Sequence, residues 1–248
     1  MNNTKEHIVC LLDVLGFESL FQRIGLDGIE KKYSELVKAI KDETSKLFIL
    51  QGPNGHPVVG WAEIESVYFS DSVMYWLNYD EFRMEVLLRG MCELICKSIE
   101  VGMPLRGSAS IGEIRIKKES NIYLGQPIID VARAESAQKW IGFTLSKTFE
   151  LEKYSKGFKA DYVLQYAEHI VEKRKDNVIP LVLDFPRHWR LTRKDDLIDY
   201  VYKLDIDKRF SKYYTNTIDF INYSKRMHDW WKNEPEYLTS IENKRIKK

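Results

Sequence analysis

Residues 8–21, IVCLLDVLGFESLF, decide how the rest of the chain is read. The run 8–12 is apolar without interruption, the signature of a strand buried on both faces. It delivers one carboxylate, Asp13, to its carboxyl end, and Gly16 then turns the chain into an amphipathic segment. A lone acid at the end of a buried strand needs a cation or hydrogen-bond donors to meet it. A second acid has a similar setting: in residues 66–76, SVYFSDSVMYW, two β-rich runs flank Ser70, Asp71 and Ser72. Two carboxylates at adjacent strand ends supply the hard oxygen ligands that a pair of divalent cations requires. The same residues also fit a plainer role, with Asp13 as a helix N-cap and Asp71 as a hairpin-turn residue.

Downstream, residues 26–28 (LDG) open a helix whose apolar face is Ile29, Tyr33, Leu36, Val37 and Ile40. Residues 48–60 (FILQGPNGHPVVG) read as a short strand and a Gly/Pro loop that holds His56 in solvent. Residues 61–69 and 72–78 form the hairpin carrying Asp71, and Asp80 with Glu81 caps a long helix over 82–101. Residues 104–117 (PLRGSASIGEIRIK) are one long strand or a strand pair, and Gly107, Ser108, Ala109 and Ser110 admit a close neighbour. A helix follows Gly125, with Pro127 in its first turn, and runs toward Trp140. Short strands at 142–146 and 177–185 flank a helical segment at 147–153, and Pro186 ends the second strand. This order predicts an α+β fold with a ferredoxin-like βαββαβ core over residues 1–186. Residues 187–248 read as a helical C-terminal extension packed on that core, carrying the segments LIDYVYKL and TIDFINYSKRMHDWW.

Composition sets the class. With 44% hydrophobic and 30% charged residues, the 248-residue chain can bury a sizeable core. A net charge of +1 gives no global field to recruit nucleic acid or an anionic membrane, so neither is expected as a partner. Only the tail at 244–248, KRIKK, is basic, which suits a frayed, solubilising end. No apolar run reaches membrane-spanning length, and residues 1–7 lack a signal-peptide pattern. Cys10, Cys92 and Cys96 are odd in number and sit in apolar contexts, with Cys92 and Cys96 spaced as helix core. The expected setting is the reduced cytoplasm.

Four pieces of the chain, in order, resemble the class III nucleotidyl cyclase catalytic domain over residues 7–185. LLDVLGFESL is similar to its first metal strand and phosphate loop, and YFSDSV to the hairpin with the second metal aspartate. LRGSASIGE is similar to the strand with a pyrophosphate-binding arginine, and GQPIIDVARAES to the helix that supplies a transition-state arginine. The resemblance implies two Mn²⁺ or Mg²⁺ ions on Asp13, Asp71 and the carbonyl of Val14. It implies an anion-binding turn from the amides of Leu15, Gly16 and Phe17, and catalytic roles for Arg106 and Arg133. It also implies a head-to-tail homodimer with shared sites, because the helix of Arg133 is expected on the far side of the domain from the aspartates. On residue type alone, Arg106 also fits a surface salt bridge and Arg133 a solvated helix-face charge.

The departures narrow the substrate. Purine cyclases resemble one another in a lysine and an aspartate that read the adenine edge; those positions here are Val67 and Ile122. Neither side chain can form a hydrogen bond, so a site built for adenine would be abandoned. Ile129, with Asp130 beside it, stands where the ribose asparagine is usual, and Tyr68 or Tyr123 is available to stack on or donate to a smaller base. The pattern resembles the pyrimidine cyclases of bacterial Pycsar antiphage systems, which implies UTP or CTP as substrate and a separate effector that reads the cyclic product. Three alternatives stay open: a catalytically dead cyclase-like domain, a purine cyclase, and a two-metal phosphohydrolase or nuclease that enlists Glu63 and Glu65. Glu18 fits the surface.

Overall fold

Strand β1 (Glu6–Val14) runs through the middle of the sheet because its apolar residues must be covered on both sides. The computed structural model describes residues 5–45, 48–51, 57–60, 64–150, 162–171, 175–176, 178–204 and 208–233. His56, Glu63 and the basic tail at 244–248 lie outside the described residues. Ile8, Val9, Cys10 and Leu12 have no exposed surface. Alternation sends Ile8, Cys10, Leu12 and Val14 to one face and Val9, Leu11 and Asp13 to the other.

β1 pairs antiparallel with β5 (Ser72–Asn78) on one side and β6 (Leu105–Glu113) on the other. β5 pairs with β4 (Glu65–Phe69) across the two-residue turn of Ser70 and Asp71. β6 runs parallel to β9 (Gly142–Ser146), and β11 (Val178–Leu183) and β10 (Val163–Gln165) complete the sheet. The seven-stranded order is β10-β11-β9-β6-β1-β5-β4. Two small ribbons stand apart: β2 (Phe48–Gln51) with β3 (Pro57–Gly60), and β7 (Arg115–Lys117) with β8 (Ile122–Leu124). The expected single strand at 48–60 is thus a strand pair, and 104–117 divides at Ile114.

Helix α1 (Phe17–Thr44) links β1 to the β4–β5 hairpin, and α2 (Glu81–Glu100) links β5 to β6. Each crossover spans an intervening strand, which is the expected βαββαβ core in an α+β fold with a mixed sheet. Both helices cover the Ile8–Leu12 face; Leu36, Ile40, Leu87, Met91 and Ile95 fill the core there. Asp80 caps α2 by accepting from the Arg83 amide at 2.7 Å. The helix starts at Phe17 rather than at residues 26–28, and Gly25, at φ 65°, kinks it where a side chain would be strained. Helix α3 (Gln126–Ser136) covers the opposite face, where Val131 meets Val9, Met74 and Trp76.

After β11 come α4 (Phe185–Thr192), α5 (Leu197–Lys203) and α6 (Ser211–Asn233). α4 was not anticipated: Pro186 starts it in its first turn, with Asp184 accepting from the Arg187 amide at 3.1 Å. Phe185, Trp189, Val201 and Phe220 join the same buried cluster as Leu12 and Leu105. Cys10, Cys92 and Cys96 are free and buried. Among the described residues, no helix is long and apolar enough to cross a membrane.

Candidate functional site

Asp13 is the penultimate residue of β1, and register places it between Ser72 of β5 and Arg106 of β6. Paired residues share a face, so Ser72, Asp13 and Arg106 form one row across three strands, on the side covered by α3. Asp71 adjoins that row from the hairpin turn, and its carbonyl accepts the Val14 amide at 2.8 Å. The turn is tight: Ser70 takes φ 47°, and its carbonyl accepts the Tyr33 hydroxyl at 2.7 Å. Asp71 therefore is a hairpin-turn residue that also neighbours Asp13.

Helix α3 supplies a group the sequence reading passed over. Val131, Ala134 and Glu135 occupy its buried side at helical spacing, so Glu135 is an acid in a core-facing position. It pairs with Arg106, whose Nε donates to Oε1 at 2.5 Å and whose Nη2 reaches the same oxygen. Nη1 donates to the Gln138 carbonyl at 2.8 Å, and Nη2 stands 3.7 Å from Asp13 Oδ2. Arg106 is only 13% exposed along its side chain, so it is an internal counter-ion and not a surface salt bridge.

The acids outnumber the cation. Burial, then the charges of Glu135 and Asp71, push the Asp13 carboxyl up to about 7, against the pull of Arg106 and a hydrogen bond from Ser72. A half-buried oxygen cluster with surplus negative charge fits a hard divalent cation. Burial together with Asp71 and Asp13 also raises the Tyr33 hydroxyl from the α1 side. A second group, Glu43, Glu93 and His188, brings ligand atoms within 4.8 Å of one another. There Arg193 already occupies both oxygens of Glu93, at 2.8 and 2.7 Å, so that donor set does not fit a metal.

Of the three amides expected to face an anion, that of Leu15 is taken by the Pro104 carbonyl at 2.9 Å, because pairing with the start of β6 continues past Val14. Gly16, at φ 72°, then enters the left-handed region and turns the chain into α1, whose first amides, from Phe17 on, have no partner within the helix. The base candidates divide by strand alternation. Val67 packs with Trp76 and Tyr123 on the α3 face. Tyr68 lies on the other face, edge-on to Tyr33 and hydrogen-bonded to Tyr75 at 2.9 Å. Ile122 is exposed on β8, and Asp130 accepts from Gln126 at 2.8 Å.

Arg133 is exposed, and no ion pair ties its side chain to a described residue. The reason differs from the one expected. α3 covers the face that carries Asp13, not the far one; Arg133 points outward because Ala134 and Glu135 take the inward side. Glu65 bonds to Lys118 at 2.7 Å and stands opposite Trp76, well along the hairpin from Asp71. Glu135, and not Glu65, is the further acid beside Asp13 on this face.

No protein-family model matches the chain, and no curated protein matches it. Among solved structures it is similar to a bacterial light-regulated adenylyl cyclase, at 12% identity and TM-score 0.46, covering 79% of this chain and 55% of that one. It is also similar to the catalytic core of a rhodopsin-guanylyl cyclase with converted specificity, in complex with ATPαS, at 10% identity and TM-score 0.45 over 73% of this chain and 94% of that one. An adenylate/guanylate cyclase/hydrolase from Silicibacter pomeroyi is similar at 12% identity and TM-score 0.43, covering 72% and 94%. The chain thus spans little more than half the length of the first of these proteins.

Proposed function

We propose that this chain is a nucleotidyl cyclase that closes a pyrimidine nucleoside triphosphate, UTP ahead of CTP, to its 3′,5′-cyclic monophosphate. The observation that carries this reading is the Ser72–Asp13–Arg106 row, where Asp71 and Glu135 add surplus negative charge next to the turn that opens α1. Asp13 and Asp71, with the Val14 carbonyl, would hold two divalent cations, Mn²⁺ or Mg²⁺, which when bound favour the 3′-oxyanion and neutralise the triphosphate. The 3′-oxygen attacks the α-phosphorus in line, the bond to the β-phosphate breaks, and pyrophosphate leaves. Arg106, planar and always charged, takes up charge on the departing pyrophosphate. The amides of Gly16 and Phe17 face the phosphates from the start of α1.

Arg133 lies on the outer side of α3 with the exposed Ile129 one turn before it, so one chain does not bring it to Asp13. A two-fold homodimer supplies it from the partner, where it meets charge developing on the α-phosphoryl group. On the face of Asp13, Val67 and Tyr123 present an apolar wall with Trp76, and Ile122 adds no donor or acceptor. A purine's polar edge would stay unpaired there, whereas a smaller base can stack on Tyr123. The cyclic product would act in the cytoplasm as an antiphage alarm read by a separate effector.

The test is to incubate the protein with each of the four NTPs and Mn²⁺ and identify products by mass. Cyclic UMP foremost, then cyclic CMP, is expected; unchanged NTP or linear monophosphate overturns the cyclase reading, and a clear ATP or GTP preference overturns the pyrimidine choice. The dimer is tested by mixing inactive Asp71→Ala and Arg133→Ala proteins. One site of each heterodimer then carries both lesions and the other none, so activity returns toward about a quarter of wild type with free exchange. A dead mixture with confirmed exchange removes Arg133 from the shared site.

A further inference from the structure

We propose that helix α6 belongs to the site, with Tyr213 as the positioning residue that fixes the direction of Arg106. This deepens the cyclase reading and rests on it for the role of Arg106. The guanidinium has five N–H donors. Glu135 of α3 takes Nε and also meets Nη2, and the Gln138 carbonyl, just past the helix, takes one side of Nη1. The remaining side of Nη1 donates to Tyr213 Oη at 3.3 Å, and the Tyr213 ring lies 5.6 Å from the guanidinium carbon. Tyr213 thus closes the side that Glu135 and Gln138 leave open, and Nη2, held by Glu135, stands 3.7 Å from Asp13.

The placement of Tyr213 follows from the rest of α6. Tyr213, Asn216, Thr217 and Phe220 recur at helical spacing on one face. Asn216 Nδ2 donates to the Lys139 carbonyl at 2.7 Å, and the Ile141 amide donates to Thr217 Oγ1 at 2.8 Å. Phe220 packs on Trp140 with ring centroids 4.8 Å apart. All three contacts hold the connection between α3 and β9, the segment that also carries Gln138. The start of α6 and the turn before it back the phosphate turn as well: Phe210 and Tyr214 meet Leu15, Gly16 and Pro104 around a cavity of about 40 Å³. Helix α6 therefore completes the arginine's cage, and without Tyr213 the guanidinium loses its restraint on the side away from Glu135.

The test compares Tyr213→Phe and Tyr213→Ala for turnover and for inhibition by inorganic pyrophosphate, with folded fraction read by circular dichroism. Tyr213→Ala is expected to lower kcat and weaken pyrophosphate inhibition, each by about tenfold, and Tyr213→Phe, which keeps the ring, by no more than about threefold. Unchanged pyrophosphate inhibition in Tyr213→Ala, with activity lost only in proportion to folded protein, overturns the proposal, since a packing role alone gives that result. Thermal unfolding keeps this separable from the cyclase reading: Tyr213→Ala is measured in wild type and in an Arg106→Gln/Glu135→Gln background, which removes the charge pair together. The tether predicts a smaller loss in that background, even if the wild type cyclises no NTP; equal losses overturn it.

Discussion

Two half-buried charge clusters, on opposite faces of the sheet, are each built around one arginine and its carboxylates and behave in opposite ways. Between α2 and α4, Arg193 grips Glu93 with two hydrogen bonds and Glu100 with a third at 3.0 Å, and His188 bonds to Glu93 at 2.7 Å. Burial would raise the Glu93 carboxyl, but His188 and Arg193 prevail and hold it at about 2. At the end of β1, Arg106 faces Glu135 and Asp13, Asp71 adds its charge beside Asp13, and Asp13 is pushed up to about 7. Direct hydrogen bonds from Arg193 and His188 staple helix to helix, whereas the acids around Asp13 outweigh Arg106 and leave a place for positive charge from outside. The sign of the shift, more than the presence of acids, separates a brace from a site.

The largest effect expected breaks the clusters apart by function. Asp13→Ala and Asp71→Ala should each abolish cyclisation, by about a thousandfold or more, while the chain stays folded. Glu93→Gln should leave turnover per folded molecule unchanged. Near wild-type turnover with Mn²⁺ in either aspartate variant would sink the metal assignment. A Glu93→Gln protein that is folded but inactive would show that the brace also serves the chemistry.

Stability gives the next effect, in the opposite cluster. Glu93→Gln leaves Arg193 and His188 without their shared carboxylate, and a loss of about 3 kcal/mol is expected at pH 7. The Glu93 carboxyl sits at about 2 against an ordinary 4.5, so its stabilisation is present above 4.5 and is lost as pH falls toward 2. Urea unfolding at pH 7 and at pH 3 should show the difference between variant and wild type shrinking in acid. A difference that holds constant with pH would mean the side chain acts by packing and not by charge.

These clusters also mark how far the sequence could be read. The apolar run at 8–12, the hairpin around Asp71 and the period of α2 are local patterns, and they put Asp13 at the end of a buried strand and Asp71 in a hairpin turn. Pro186 was misread because a proline after a strand marks a stop as readily as a helix start; Asp184 as N-cap was the deciding signal. Glu135 was legible but overlooked: the spacing of 131, 134, 135 and 138 puts an acid on a buried face, where it must find a cation. Tyr213 was not legible at all. It lies 107 residues from Arg106, and no local pattern of aromatics says which cation a ring will cover.

The smallest effect tests the acid surplus itself. Asp13 has its carboxyl raised to about 7 from an ordinary 3.8, so the folded chain binds a proton more tightly than the unfolded one. The sign follows: Asp13 contributes stability in its protonated form below about 4, and that contribution is lost as pH climbs through 7. Asparagine keeps the shape and never takes the charge. With a chelator present, Asp13→Asn should therefore unfold later than wild type at pH 8, by about 1–2 kcal/mol, and the gap should close by pH 4. Saturating Mn²⁺ should reverse the order at pH 8, because the wild-type carboxylate then has its cation and the amide does not. Should Asp13→Asn prove less stable than wild type at pH 8 in chelator, Arg106 already balances the acid, and the end of β1 is a brace of the same kind as Glu93 and Arg193.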